Sequence, residues 1–211
     1  MSESSQPNFR NTELDPQLLS APFNVKTNWC VITGAPCSGK TTIIDMLAEK
    51  GFQTVQEAGR EYFEGEFAKG RTIEEIRKDQ AVLTRQVYDI MVEHENGLRA
   101  HEINFLDRAL PDGFAFYRLA GMNPNEILPD CFQHRYTAVF LLNRLPYQKD
   151  GVRVADDETA AFLESWMLRD YAALGYKVIR VPVLPPEERL NFVLKILSEQ
   201  GLIKQLGDAN R

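Results

Sequence analysis

The sequence predicts an α/β domain of three layers, in which a parallel five-stranded sheet is covered by helices on both faces. Three observations carry this. Short apolar runs recur at residues 29–33, 52–55, 103–106, 138–142 and 177–181, and strands that are apolar throughout belong to a sheet buried on both sides. The segments between them are long enough for helices, the alternation of βαβ units. A glycine-rich turn over residues 34–41 joins the first run to the first helical segment.

The size and composition suit one such domain. The chain has 211 residues, 44% hydrophobic, 10% aromatic and 26% charged, which is ordinary globular usage and closer to one domain than two. Acidic residues outnumber basic ones 30 to 24, a net charge of −6. A dedicated nucleic-acid binder needs a basic face to displace counterions, so none is expected, although a local basic phosphate site remains compatible. Cys30, Cys37 and Cys131 are odd in number and lack C-x-x-C spacing, which predicts neither a disulfide framework nor a zinc site. His94, His101 and His134 lack metal-ligand spacing. No apolar run approaches the roughly 20 residues that span a bilayer, and the N-terminus has no basic-then-apolar leader. The expected location is the cytoplasm.

Residues 1–28, rich in Ser, Asn and Pro, read as a flexible N-terminal tail that docks through Leu18, Leu19 and Phe23. The domain is expected over 29–205, with a C-terminal tail at 206–211. Thr72 and Glu75 form a capping box that opens a long helix over 73–99. Its seam of Ile73, Ile76, Leu83, Val87 and Ile90 is interrupted by Gln80, whose amide must bond either a ligand or nearby backbone. His94 continues the seam as a packing residue. A helix starts near Pro111, Asp156 and Asp157 cap another that ends near Gly175, and Pro185 and Pro186 open the last. Phe63, Phe67, Phe114, Phe116 and Tyr117 are expected in the core, with the wall of an acceptor pocket as the alternative.

The turn after the first strand, Gly34-Ala35-Pro36-Cys37-Ser38-Gly39-Lys40-Thr41, fits G-x-x-x-x-G-K-[ST]. Chance gives this pattern in roughly one chain of this length in a hundred. Here it stands between an apolar strand and a helical stretch that begins at Thr42, the setting the motif requires. Glycines permit backbone angles and close approach that a Cβ forbids. Successive N–H groups then form an anion nest at the positive end of a helix dipole. Residues 34–42 are therefore predicted to hold nucleotide phosphates. Lys40 reaches the β- and γ-phosphates and Thr41 ligates Mg²⁺; Cys37 contributes only backbone. Asp107, at the carboxyl end of the third strand, is the second candidate for Mg²⁺, its alternative being a helix cap.

The residues beyond the loop separate the classes of nucleotide protein. A motor ATPase would carry Glu after the strand-end Asp, but Arg108 stands there. A small GTPase would show D-x-x-G and N-K-x-D, whereas the chain has Asp107-Arg108-Ala109-Leu110 and Asn143-Arg144-Leu145-Pro146. Asp107-Arg108 instead resembles the D-R element of small-molecule and nucleoside kinases. Glu57-Ala58-Gly59-Arg60 after the second strand supplies an acceptor-side carboxylate. The basic stretch holding Arg144, Lys149 and Arg153 after the fourth strand looks like a lid that brings positive charge over the phosphoryl. Val181-Pro182-Val183-Leu184-Pro185-Pro186-Glu187-Glu188-Arg189 comes after the fifth strand, where such folds pass the adenine.

From residue 29 to about 200 these pieces together resemble an AAA-labelled ATPase family grouped with ribosylnicotinamide kinase (NadR-like domains). An insect trafficking protein that binds phosphoinositides and GTP is grouped there too. The resemblance implies a P-loop NTPase of the nucleoside-kinase type, with strand order 2-3-1-4-5. It also implies ATP, or GTP, with Mg²⁺ as cofactors. The expected function is transfer of the γ-phosphoryl group to a small hydroxyl-bearing, nucleoside-like metabolite. The alternative is a nucleotide-dependent switch or adaptor for a protein or a phosphoinositide head group. Glu57 and Asp107 compete for the role of base, and each has a structural alternative. Arg108 steadies phosphate or acceptor, or forms a structural ion pair. Arg60 pairs with Glu57 or holds an acceptor anion. Arg144 and Arg153 are the lid cations, and Arg189 is assigned to the nucleotide.

Overall fold

A computed structural model of the chain describes residues 8–145 and 157–203. Along the chain the strands are β1 (Val25–Lys26), β2 (Trp29–Thr33), β3 (Gln53–Val55), β4 (Asn104–Asp107), β5 (His134–Arg135), β6 (Ala138–Leu142) and β7 (Val178–Val181). The helices are α1 (Lys40–Glu49), α2 (Ala58–Ala68), α3 (Ile73–Arg77), α4 (Gln80–Gly97), α5 (Asp112–Leu119), α6 (Asp157–Ala173) and α7 (Pro186–Glu199). Five strands form one sheet in the order β3-β4-β2-β6-β7, and every pairing is parallel. Counted over the five strands expected from sequence, this is the order 2-3-1-4-5.

The two sheet faces arise from alternation along β2. Trp29 and Val31 point to one side with Leu106, Phe114, Tyr136, Val139 and Tyr171. Cys30 and Ile32 point to the other, against Ile43, Ile44 and Leu47 of α1 and Leu190, Val193, Leu194 and Leu197 of α7. Successive side chains of a strand alternate between faces, so β2, β4 and β6, buried along their whole length, carry consecutive apolar residues, with buried polar ones only at Thr33, Asn104 and Asp107 at strand ends. Their carboxyl ends converge on one edge of the sheet. There β2 runs into the glycine-rich turn and β4 ends on Asp107.

Three expectations change. The helix over 73–99 is two helices. Its capping box forms as read, with Glu75 N–H donating to Thr72 Oγ1 (3.3 Å) and Thr72 N–H to Glu75 Oε2 (2.8 Å). α3 then stops, and Asp79 caps α4 by accepting from Val82 N–H (3.0 Å), because an Asp in an extended conformation satisfies the amides of a new first turn. Gln80, the first residue of α4, donates back across the break to the Arg77 carbonyl (2.7 Å), the backbone alternative.

The second change is partial: the N-terminal segment lies against the domain from residue 8 onward, with Leu19 and Phe23 packed on the core as expected, whereas Leu18 is exposed. Leu14 is buried in the core, and the Thr12 carbonyl accepts from Arg118 Nε (2.7 Å). Val25–Lys26 pairs in parallel with His134–Arg135, a two-stranded sheet that short polar segments did not announce. The third change is β4, which runs one residue later than expected and carries Asp107 as its last residue. Phe114 and Tyr117 are core residues, as expected, whereas Phe67 is about half exposed.

Candidate active site

The turn between β2 and α1 is a glycine-opened cradle of backbone. Gly34 has φ 141°, and a Cβ there would lie 2.7 Å from the Leu142 carbonyl oxygen, so glycine is required by space as well as conformation. Gly39 has φ 89° and is the N-cap of α1 without any side-chain cap. The amides of the first turn of α1 have no partner within the helix and are available to an anion. Lys40 is buried and donates to the Ala35 carbonyl (3.2 Å), so its ammonium lies folded over the turn. Burial, and then the neighbouring Arg108, push its pKa down to about 8, against the opposing pull of Asp107, Glu57 and Asp112.

Nucleotide phosphates would return the missing countercharge and raise that pKa. Binding of a nucleotide above about pH 8 is therefore expected to take up a proton. The measurement is calorimetry of nucleotide binding in two buffers of different ionisation enthalpy. Zero uptake, or release, would remove Lys40 from the phosphate site.

Thr41, on the first turn of α1, donates its hydroxyl to Asp107 Oδ2 (3.2 Å). Asp107 is buried, and its Oδ1 has no hydrogen-bond partner. Burial, and after it the nearby Glu57, raises its pKa above the ordinary carboxylate value despite Lys40 and Arg108. An orphaned carboxylate oxygen beside a threonine hydroxyl is a donor set that suits Mg²⁺, a hard cation that takes few protein ligands and several from phosphate and water. Asp107 does not cap α5; the Ala109 amide donates to Asp112 Oδ2 instead (3.0 Å).

Glu57 and Arg108 meet across the opening. Glu57 is the N-cap residue of α2, yet its side chain makes no cap bond. It accepts from Arg108 Nε at 2.8 Å. Arg108 is buried in the left-handed region at φ 74°, a conformation that a non-glycine residue holds only at some cost. Its Nη1 donates to the Gly34 carbonyl (3.0 Å) and lies 3.4 Å from Asp112 Oδ1, and the guanidinium stacks over the Phe116 ring at 5.1 Å. Burial opposes the ionisation of both partners, but each is outweighed by the other. The Glu57 carboxyl lies below its usual pKa through Arg108 and Lys40, and the Arg108 guanidinium lies above its own through Glu57 and Asp112. The pair is charged at neutral pH.

Sequence reasoning missed the support beneath this pair. Asp112, fully buried, accepts from the Thr33 hydroxyl, the Ala109 amide and the Tyr171 hydroxyl (2.7 Å). The available signal was its place four residues after Arg108, one turn of chain that an isolated sequence cannot distinguish from a helix-start Asp. Arg60 is exposed on the first turn of α2. Arg144 donates to Asp157 Oδ1 (2.7 Å) and lies 3.3 Å from Glu164 Oε2, tied to the start of α6. Arg153 falls outside the described residues. Arg189 is buried beneath the turn and donates to three carbonyls, of Pro182, Ser38 and Asn143. His94 bonds Glu61 (2.7 Å) on the surface of α4 and α2.

The sequence model of a family described as an AAA domain matches residues 29–189. The chain belongs to this family. The AAA-domain match covers the sheet from β2 to the start of α7 and so includes every site residue above. No curated protein matches the chain. Among solved structures, NadR protein in complex with NR superposes with a TM-score of 0.61 at 19% identity, covering 84% of this chain and 52% of that one. The chain thus spans about half the length of that protein. Deoxyadenosine kinase from M. mycoides superposes with a TM-score of 0.59 at 16% identity, covering 82% of this chain and 99% of that one. Thymidylate kinase from Candida albicans gives 0.51 at 14% identity, with 83% and 93% covered. The fold of this AAA-domain protein is the one it shares with these structures, a parallel five-stranded sheet between layers of helices. Among its described residues no helix is long and apolar enough to cross a membrane.

Proposed function

We propose that the protein is a Mg²⁺-dependent kinase that moves the γ-phosphoryl group of ATP to a hydroxyl of a small, nucleoside-like metabolite. The observation that carries this reading is the Arg108 guanidinium, which touches Glu57 and the Gly34 carbonyl at once. A phosphate cradle alone serves any nucleotide protein. An ionised carboxylate held beside it by a shared arginine is what a second substrate needs.

The residues divide the work. The amides of 34–42 and Lys40 hold the phosphates and stabilise charge on the transferring group. Thr41 and Asp107 would hold Mg²⁺, which when bound neutralises charge on the phosphate oxygens. Glu57 accepts a hydrogen bond from the acceptor hydroxyl, aims its oxygen at phosphorus and takes its proton as the new O–P bond forms and the β–γ bridging P–O bond breaks to release ADP. Phosphoryl transfer passes through a loose transition state in which positioning outweighs proton removal, so a carboxylate of low pKa serves. The kinase names of the structural neighbours support this assignment of reaction type.

ADP formation from MgATP, measured across nucleosides, nucleotides, pantothenate and inositol phosphates, tests the reading. Strong stimulation by one class is expected, and its identity gives the acceptor. A flat panel beside clear nucleotide binding would replace the kinase with a nucleotide-dependent switch.

A further inference from the structure

The carbonyl oxygens of a phosphate loop are as important as its amides, because any carbonyl turned inward repels the anion. In a trans peptide the C=O of one residue and the N–H of the next point to opposite sides, and the described chain has no cis peptide bond. Fixing the Ser38 carbonyl on one side therefore fixes the Gly39 N–H on the other. Gly39 is the left-handed residue that opens α1, and lacking a side chain it has little of its own to hold that peptide plane.

Arg189 supplies the hold. Its Nη1 donates to Ser38 O at 2.6 Å, its Nη2 to Asn143 O at 2.7 Å and its Nε to Pro182 O at 2.9 Å. Among the described residues no carboxylate pairs with it, and it is only 2% exposed. A buried guanidinium spent wholly on three backbone carbonyls is not a structural ion pair. Its contacts join the turn after β2 to the chain leaving β6 and the chain leaving β7, three segments far apart in sequence. The head sits close enough that a Cβ on Gly39 would lie 3.2 Å from Nη1.

We infer that Arg189 is a positioning residue that turns the Ser38–Gly39 peptide so that the Gly39 amide faces the bound phosphates, and locks the loop to the ends of β6 and β7. Arg108 likewise holds the Gly34 carbonyl, so the two ends of the loop are pinned by two guanidiniums. The inference rests on the reading of residues 34–42 as a phosphate site.

The test is the affinity of a fluorescent ADP analogue for the full chain and for Arg189→Ala and Arg189→Lys, with melting temperature followed without nucleotide. Arg189→Ala is expected to bind about tenfold to a hundredfold more weakly, the worth of one charge-assisted hydrogen bond to phosphate. Added methylguanidinium should restore binding. Arg189→Lys should recover the fold but not the affinity, because an ammonium on a flexible stem lacks the rigid fork by which Nε, Nη1 and Nη2 each reach a different carbonyl. If Arg189→Ala does not fold, Arg189→Lys alone decides: native affinity in that variant overturns the inference. Native affinity in Arg189→Ala, or weakened binding that methylguanidinium leaves unchanged, overturns it too. Failure of the unaltered protein to bind any nucleotide would instead overturn the phosphate site on which the inference rests.

Discussion

Lys40→Met is expected to cut turnover of MgATP by about a thousandfold, the cost of removing a preorganised charge from a transferring phosphoryl group. The same change is expected to stabilise the nucleotide-free protein. Burial and Arg108 hold the Lys40 pKa at about 8 against 10.5 for a free lysine. Keeping the ammonium charged there at neutral pH costs the folded state about 3 kcal/mol, and methionine fills the same slot without that cost. The sign also appears with pH. Between about 8 and 10.5 the unfolded chain holds a proton that the folded one has released, so the stability of the unaltered protein should rise across that window. The rise should be absent in Lys40→Met. Chemical denaturation at several pH values reads one half of this, and ADP release the other. A variant of unchanged rate would end the assignment of Lys40 to the phosphates.

Glu57→Gln is the second large effect expected. Glutamine keeps an oxygen for the Arg108 Nε bond, so the network from Gly34 to Asp112 survives. What disappears is the negative charge that accepts the acceptor hydroxyl. The expected result is a fall in kcat of about a hundredfold to a thousandfold, within the range for a lost general base, with the KM for MgATP within a few-fold of the unaltered value. Asp107→Asn should act differently, raising the Mg²⁺ concentration needed for half-maximal rate, because Asp107 faces Thr41 rather than Arg108. If Glu57→Gln retained full kcat while Asp107→Asn lost it without any shift in Mg²⁺ dependence, the two roles would have to be exchanged.

The turn between β2 and α1 was legible because its chemistry is local. Glycines, lysine and threonine at fixed spacing between an apolar strand and a helix leave one solution, and that solution includes the positive φ of Gly34 and Gly39. Strand identity was legible for the same kind of reason: β2, β4 and β6 are buried on both faces and carry consecutive apolar residues, with polar ones only at Thr33, Asn104 and Asp107 at strand ends. Helix continuity was less so. The pattern of Ile73, Ile76, Leu83 and Val87 keeps its period across Lys78 and Asp79, while the break depends on one side chain choosing to cap.

Whether Glu57 capped α2 or faced a substrate could not be settled by its neighbours in sequence, since an N-cap position suits both. The fold settled where its carboxylate points, by bringing Arg108, 51 residues away, to 2.8 Å. Arg189 shows the same limit. Its place after Pro185 and Pro186 predicted a helix start and a position near the nucleotide. Its partners are the carbonyls of Ser38, Asn143 and Pro182, and every residue type carries the same carbonyl. Side-chain chemistry and period along one segment are written in the sequence. Which backbone group meets which side chain across segments is decided only when the sheet order brings β2, β6 and β7 side by side.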